Sequence, residues 1–169
     1  FSALTLVIML GSASGNPEYF KDMGVTLPKT EKAAPTFRLK NLAGNYISLE
    51  NFQGKTVLLN FWATWCLPCR EELPAMQNLY EKLSPGGLEV IAISIDRDNP
   101  DKVKNYIDKY KLTFPILLDP SQEVRKSYFI MGLPTSYLIN TDGQLIGFVS
   151  GARDWDNPPS IHMFSSLIN

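Results

Sequence analysis

A chain of 169 residues is long enough to bury one substantial core, so a single principal domain is expected. With 44% hydrophobic and 20% charged residues, the composition excludes a disordered chain and fits a globular domain. The formal net charge of -1 carries no footprint for nucleic acid or for an anionic membrane surface.

The chain begins with the apolar run "FSALTLVIML" and the small residues "GSASG". Residues 1–15 therefore read as a truncated export signal or anchor, with Ser12 and Ser14 spaced as a cleavage site requires. Residues 16–34 carry Pro17 and Pro28 and little periodicity, and are expected to be a linker over the surface, leading to a domain at 35–169. "TFRL" (36–39) and "YISL" (46–49) alternate around a turn at Gly44 and predict a hairpin. "TVLLNFW" (56–62) is almost continuously apolar, the pattern of a strand covered on both faces.

A helix is predicted from Leu67 to Leu83, because Leu73, Met76, Leu79, Tyr80 and Leu83 recur at steps of three and four. Pro74 lies inside it and deprives the Arg70 carbonyl of its usual donor, so a kink is expected. "LEVIAISI" (88–95) is a second buried strand. A helix over 99–110 follows, with Asn99 as N-cap and Pro100 first. "FPILLD" (114–119) is a third strand and "SQEVRKSY" (121–128) a short helix. "TSYLIN" (135–140) and "LIGFVS" (145–150) form a hairpin about "TDGQ". A last helix lies within 154–168. Strands alternating with helices imply an α/β sandwich with a mixed sheet.

Both cysteines, Cys66 and Cys69, fall in "NFWATWCLPCREELP" (60–74). A bridge across two residues closes too small a loop to stabilise much by chain entropy. A structural zinc site wants four ligands, and His162 is the one histidine. The redox reading fits best. Cys66 stands where a buried strand gives way to a helix, and unpaired N–H groups and the helix dipole favour its thiolate there. Cys69 is one turn on, so Cys66 is expected to attack and Cys69 to resolve. Leu67 and Pro68 add no charge to the loop, which predicts a moderate thiolate stabilisation and a reducing poise.

"FWATWCLPC", the later "GLPT", and the stretches "VIAISID", "FPILLD" and "GLPTSYLINTDGQLIG" resemble the thioredoxin superfamily. From about Ala34 to Gly151 the chain is similar to extracytoplasmic TlpA-like and ResA-like thiol-disulfide oxidoreductases. The resemblance implies a three-layer α/β sandwich, with an N-terminal β-hairpin and a strand–helix unit inserted between residues 88 and 119. It implies Cys66 and Cys69 as redox pair, without cofactor or metal. It implies a cis Leu133–Pro134 loop where substrate backbone docks, against the alternative of a proline that merely starts a strand. Trp65, Leu67 and Pro68 would contact substrate, with Trp62 also flanking the site unless it is core. Glu72 would tune the thiols and assist proton transfer; its alternative is a solvated charge beside Arg70 and Glu71. Asn60 stands where thioredoxin has a buried aspartate.

The implied substrate is a disulfide-containing protein such as apocytochrome c. The electrons would come from a membrane thiol donor, and the protein would be a monomer working outside the cytoplasm. Two other functions compete. A peroxiredoxin-like peroxidase would need P-x-x-x-T-x-x-C, but Leu59 and Ala63 stand at its first two fixed positions. A copper metallochaperone would need His162 to join the thiols.

Overall fold

The computed structural model describes residues 17–30 and 32–168. The apolar run expected to be a signal or anchor lies outside the described residues. In chain order the elements are α1 (Pro17–Asp22), β1 (Lys32–Ala33), β2 (Arg38–Asn41), β3 (Tyr46–Ser48), β4 (Thr56–Trp62), α2 (Leu67–Leu83), β5 (Leu88–Ser94), α3 (Pro100–Tyr110), β6 (Ile116–Leu118), α4 (Glu123–Ser127), β7 (Thr135–Ile139), β8 (Gln144–Ser150) and α5 (Pro158–Ile168).

The strands form one mixed sheet in the order β1-β8-β7-β4-β5-β6-β2-β3. β4, β5 and β6 are parallel, and every other pairing is antiparallel. The continuous apolar runs become the central strands β4 and β5, buried at every position. Each Leu or Ile enclosed there contributes about 1.5–3 kcal/mol.

The period of two in β4 sorts the layers. Asn60 and Trp62 point to one face, where they meet Glu72 of α2 and Tyr106 of α3. Phe61 points to the other, against Tyr128 at the end of α4. α5 packs on α2 and on β4. The result is the expected three-layer α/β sandwich. β2–β3 is the expected hairpin, on the far edge of the sheet, and β5–α3–β6 is the expected strand–helix insertion.

Several boundaries differ from expectation. The first hairpin strand begins at Arg38 and ends at Asn41, because the Asn41 side chain accepts from the N–H groups of Ala43 and Asn45 and so starts the turn there. The third strand shrinks to Ile116–Leu118. Asn99 holds the N-cap position of α3 through a left-handed backbone, without a side-chain cap bond. The last helix starts at Pro158, capped by the Asn157 side chain on the Ser160 N–H. α2 runs unbroken through Pro74, and the Tyr106 hydroxyl donates to the Arg70 carbonyl that the proline leaves without a donor.

The largest difference concerns residues 16–34. What was expected to be a surface linker packs on the domain over α1 and the residues just after it, whereas residues 27–30 and 32–33 are exposed. Phe20 and Met23 are buried in the core, and α1 lies on α5, with Tyr19 stacked on His162. Thr26 exchanges two backbone hydrogen bonds with Phe148 of β8. Gly147 permits this approach, since a Cβ there would stand 2.4 Å from Val25 Cγ1. Among the described residues no helix is long and apolar enough to cross a membrane.

Candidate active site

β4 ends at Trp62, and the turn Ala63–Trp65 delivers Cys66 to the N-cap of α2. Asp96, just past β5, braces that turn. Its carboxylate accepts from the Thr64 N–H at 2.9 Å, the Thr64 hydroxyl at 2.6 Å and the Ser94 hydroxyl at 2.7 Å. Pro68 fits the first turn because no intrahelical acceptor awaits an N–H there. Cys66 and Cys69 are joined as a disulfide, with Cα atoms 5.3 Å apart. The Cys69 N–H points at Cys66 Sγ, at 3.3 Å. An amide aimed at this sulfur, at the positive end of a 17-residue helix, favours negative charge on Cys66 once the bridge opens.

The cysteines differ in access. Cys66 lines an open cleft of about 810 Å³ together with Trp65, Leu67, Pro68, Met131 and Leu133. Trp65, Leu67 and Met131 are 69%, 55% and 92% exposed, so an apolar rim surrounds the attacking sulfur. Arg97, Lys102 and Arg125 lie farther along the same cleft. Cys69 is fully buried.

The Leu133–Pro134 peptide bond is cis. Leu133 reaches the cleft, whereas Pro134 is buried behind it and does not line it. The Pro134 carbonyl is taken by the Gly151 N–H at 2.9 Å. Trp62, for which the sequence left both flanking the site and core packing open, is fully buried and packs on the Tyr106 ring. Among the described residues no group of three His, Cys, Asp or Glu side chains is placed to hold a metal ion. His162 lies on α5 against the Tyr19 ring.

Glu72 is buried, which excludes the solvated-charge alternative. It lies one turn beyond Cys69 on the same helix face. Its Oε1 accepts from Asn60 Nδ2 at 2.8 Å, and its Oε2 accepts from the Arg153 N–H and from Trp155 Nε1, each at 3.0 Å. Asn60 Nδ2 also donates to the Ser136 hydroxyl at 2.9 Å. Burial raises the Glu72 pKa from 4.5 to about 7, and the hydrogen bonds from Arg153, Trp155 and Asn60 pull against that rise. A carboxyl poised there can exchange a proton at neutral pH.

Arg153, Trp155 and Ser136 have no signal in the sequence that marks them as part of this site. Arg153 and Trp155 reach Glu72 directly, and Ser136 reaches it through Asn60, because β7 pairs with β4 and the turn after β8 comes back to α2.

A sequence profile of the AhpC/TSA family matches residues 30–147. The thiol-disulfide oxidoreductase ResA of Bacillus thuringiensis subsp. konkukian is 46% identical over 123 residues, which cover 72% of this chain and 70% of the relative. The ResA of Bacillus subtilis is 36% identical over 135 residues, 80% of this chain and 73% of the relative. Among solved structures, a thiol:disulfide interchange protein of the thioredoxin family from Chlorobium tepidum superposes with a TM-score of 0.72 at 26% identity. The match covers 84% of this chain and 99% of that one.

Proposed function

This chain belongs to the AhpC/TSA family and is a thioredoxin-like, ResA-related thiol-disulfide oxidoreductase; from that premise we propose that it acts as a reductant of disulfides in proteins outside the cytoplasm, apocytochrome c among them. The observation that carries the reading is the Cys66–Cys69 bridge at the mouth of α2, with one sulfur on an apolar-rimmed cleft and the other enclosed.

In the reduced protein the Cys66 thiolate attacks one sulfur of a substrate disulfide. A Cys66–substrate S–S bond forms, the substrate S–S bond breaks, and the leaving thiolate takes up a proton. Cys69 then gives its proton to the Glu72 carboxylate and attacks Cys66 Sγ. The Cys66–Cys69 bond forms, the mixed disulfide breaks, the departing substrate thiolate takes up a proton while Glu72 returns its own to solvent, and the substrate leaves as a dithiol. The substrate gains two electrons and the protein becomes the disulfide form. A membrane thiol donor restores the dithiol. Trp65, Leu67 and Pro68 contact the substrate chain on one side of the cleft, and the Leu133–Pro134 loop holds its backbone on the other. The protein works as a monomer.

The test uses Cys69→Ser in the native host. Without the resolving thiol the mixed disulfide at Cys66 persists and can be isolated and sequenced. Apocytochrome c among the captured chains is the expected result. Captured proteins of other kinds would overturn the substrate assignment. Fast oxidation of Cys66 by peroxide, with no protein captured, would overturn the reductase reading in favour of a peroxidase.

A further inference from the structure

The Glu72 cradle is assembled from both ends of the chain. The residues matched by the family profile stop at 147, yet two of the three N–H groups on Glu72 come from Arg153 and Trp155. The third comes from Asn60 of β4. All three partners donate, so the cradle suits a carboxylate oxygen. The turn that carries the two outer donors is itself tied down. The Arg153 guanidinium donates from Nε to the Met23 carbonyl at 3.0 Å, and from one terminal nitrogen to the carbonyls of Gly151 and Ala152. Met23 follows α1, so the segment before the matched region clamps the segment after it. Trp155 is fully buried, with its ring against Phe164 of α5, and its single N–H is committed to Glu72 Oε2.

We propose that Trp155 is a positioning residue for the thiol chemistry: with the Arg153 main-chain N–H it anchors Glu72 Oε2, and so holds the carboxylate one helical turn from the resolving Cys69. The consequence follows from elementary electrostatics. Burial disfavours the ionised carboxylate, and each N–H aimed at it favours that form. Removing the indole donor leaves burial with less opposition, so Glu72 binds its proton more tightly.

The charged surroundings are few. α2 presents the Cys66–Cys69 pair one turn back, and that pair does not titrate as a disulfide. β4 and β7 present Asn60 and Ser136, both uncharged. The turn after β8 presents the Arg153 guanidinium, which also favours the ionised form, and carries the carboxyls of Asp154 and Asp156 on either side of Trp155, the latter held by Asn78 of α2. Arg70 and Glu71 on α2 are exposed to solvent.

The inference rests on the assignment of Glu72 to the thiol chemistry, and its test is kept apart from turnover. The full chain is prepared as the disulfide, with ¹⁵N-labelled indoles and ¹³C-labelled glutamate carboxyls, and titrated by NMR. The Trp155 Nε1–H resonance should move with the Glu72 carboxyl resonance in one shared step, and that step should vanish in Glu72→Gln. Trp155→Phe keeps a buried ring and deletes the N–H. It should raise the Glu72 midpoint by about one pH unit, since a hydrogen bond to a charged group is lost. A Trp155 resonance that stays still while Glu72 titrates would overturn the proposal in the unmodified chain, where misfolding is not in question. So would a Glu72 midpoint unchanged in Trp155→Phe. If these shifts appear but Glu72→Gln leaves the thiol reactivity of the reduced protein unchanged, the positioning stands and the role of Glu72 falls.

Discussion

Cys66 and Cys69 stand one turn apart at the start of one helix, yet their access differs: Cys66, 7% exposed, lines the cleft, and Cys69, at 0%, does not. Cys66 opens onto a cleft rimmed by Trp65, Leu67 and Met131, three large side chains that are more than half exposed. Cys69 is sealed, and its helix face leads inward to Glu72 and the polar cluster of Asn60 and Ser136. The difference separates two tasks. A sulfur that must meet a foreign chain needs access and apolar grip. A sulfur that must wait, then lose its proton and attack, needs enclosure and a nearby proton acceptor. One turn of helix, about 5.4 Å along the axis, is enough to divide them.

The sharpest way to break this comparison is to exchange the roles. Cys66→Ser should abolish reduction of a CxxC peptide disulfide, by about 10³-fold or more, because the buried Cys69 cannot reach the substrate. Turnover of the peptide, followed by thiol release, measures it. Mixed-disulfide formation with the peptide at comparable rates in Cys66→Ser and Cys69→Ser would mean that the two sites are not distinct.

Glu72→Gln probes the inner site. Loss of the proton acceptor should slow resolution of a preformed mixed disulfide by about 10²-fold, read by stopped-flow, with the first attack unaffected. The same group sets a pH dependence of stability. Its pKa is near 7 in the folded protein against 4.5 for an unperturbed glutamate, so between those values the folded state binds more proton than the unfolded one. Stability is therefore full below about pH 4.5, falls as pH rises through about 7, and then levels, by up to roughly 3 kcal/mol. Urea unfolding of the disulfide form at several pH values should show that fall. Glu72→Gln should lack it.

At the outer site Trp65→Ala should lower kcat/KM for the peptide about tenfold and leave the unfolding midpoint in place, since Trp65 is 69% exposed. A loss of stability instead would mean that this tryptophan belongs to the core. The smallest effect is expected at Tyr106→Phe, which again leaves the Arg70 carbonyl without a donor beside Pro74. It should cost about 1 kcal/mol in unfolding and change neither cysteine's reactivity.

Legibility in the sequence followed the range of the forces. β4 and α2 were readable to their ends, because an unbroken apolar run and a three-four repeat are local signals. The first hairpin was misplaced by two residues, because Asn41 accepts from two main-chain N–H groups and starts the turn there. Residues 16–34 read as a linker because one pair three apart, Phe20 and Met23, is too short a run to establish a period. Their burial depends on α5 and β8, far along the chain. The buried run 56–62 already pointed to a core place for Trp62, and the fold decided between that and the site.

The sequence by itself determined the chemistry of the pair. Two thiols three positions apart, at the point where a buried strand becomes a helix, are placed for attack and resolution by backbone geometry alone. Tertiary structure decided the rest: which cysteine is open, and how Glu72 is held. Two of the donors on that carboxylate lie 81 and 83 residues away, and no local pattern can report a hydrogen bond made across a folded sheet.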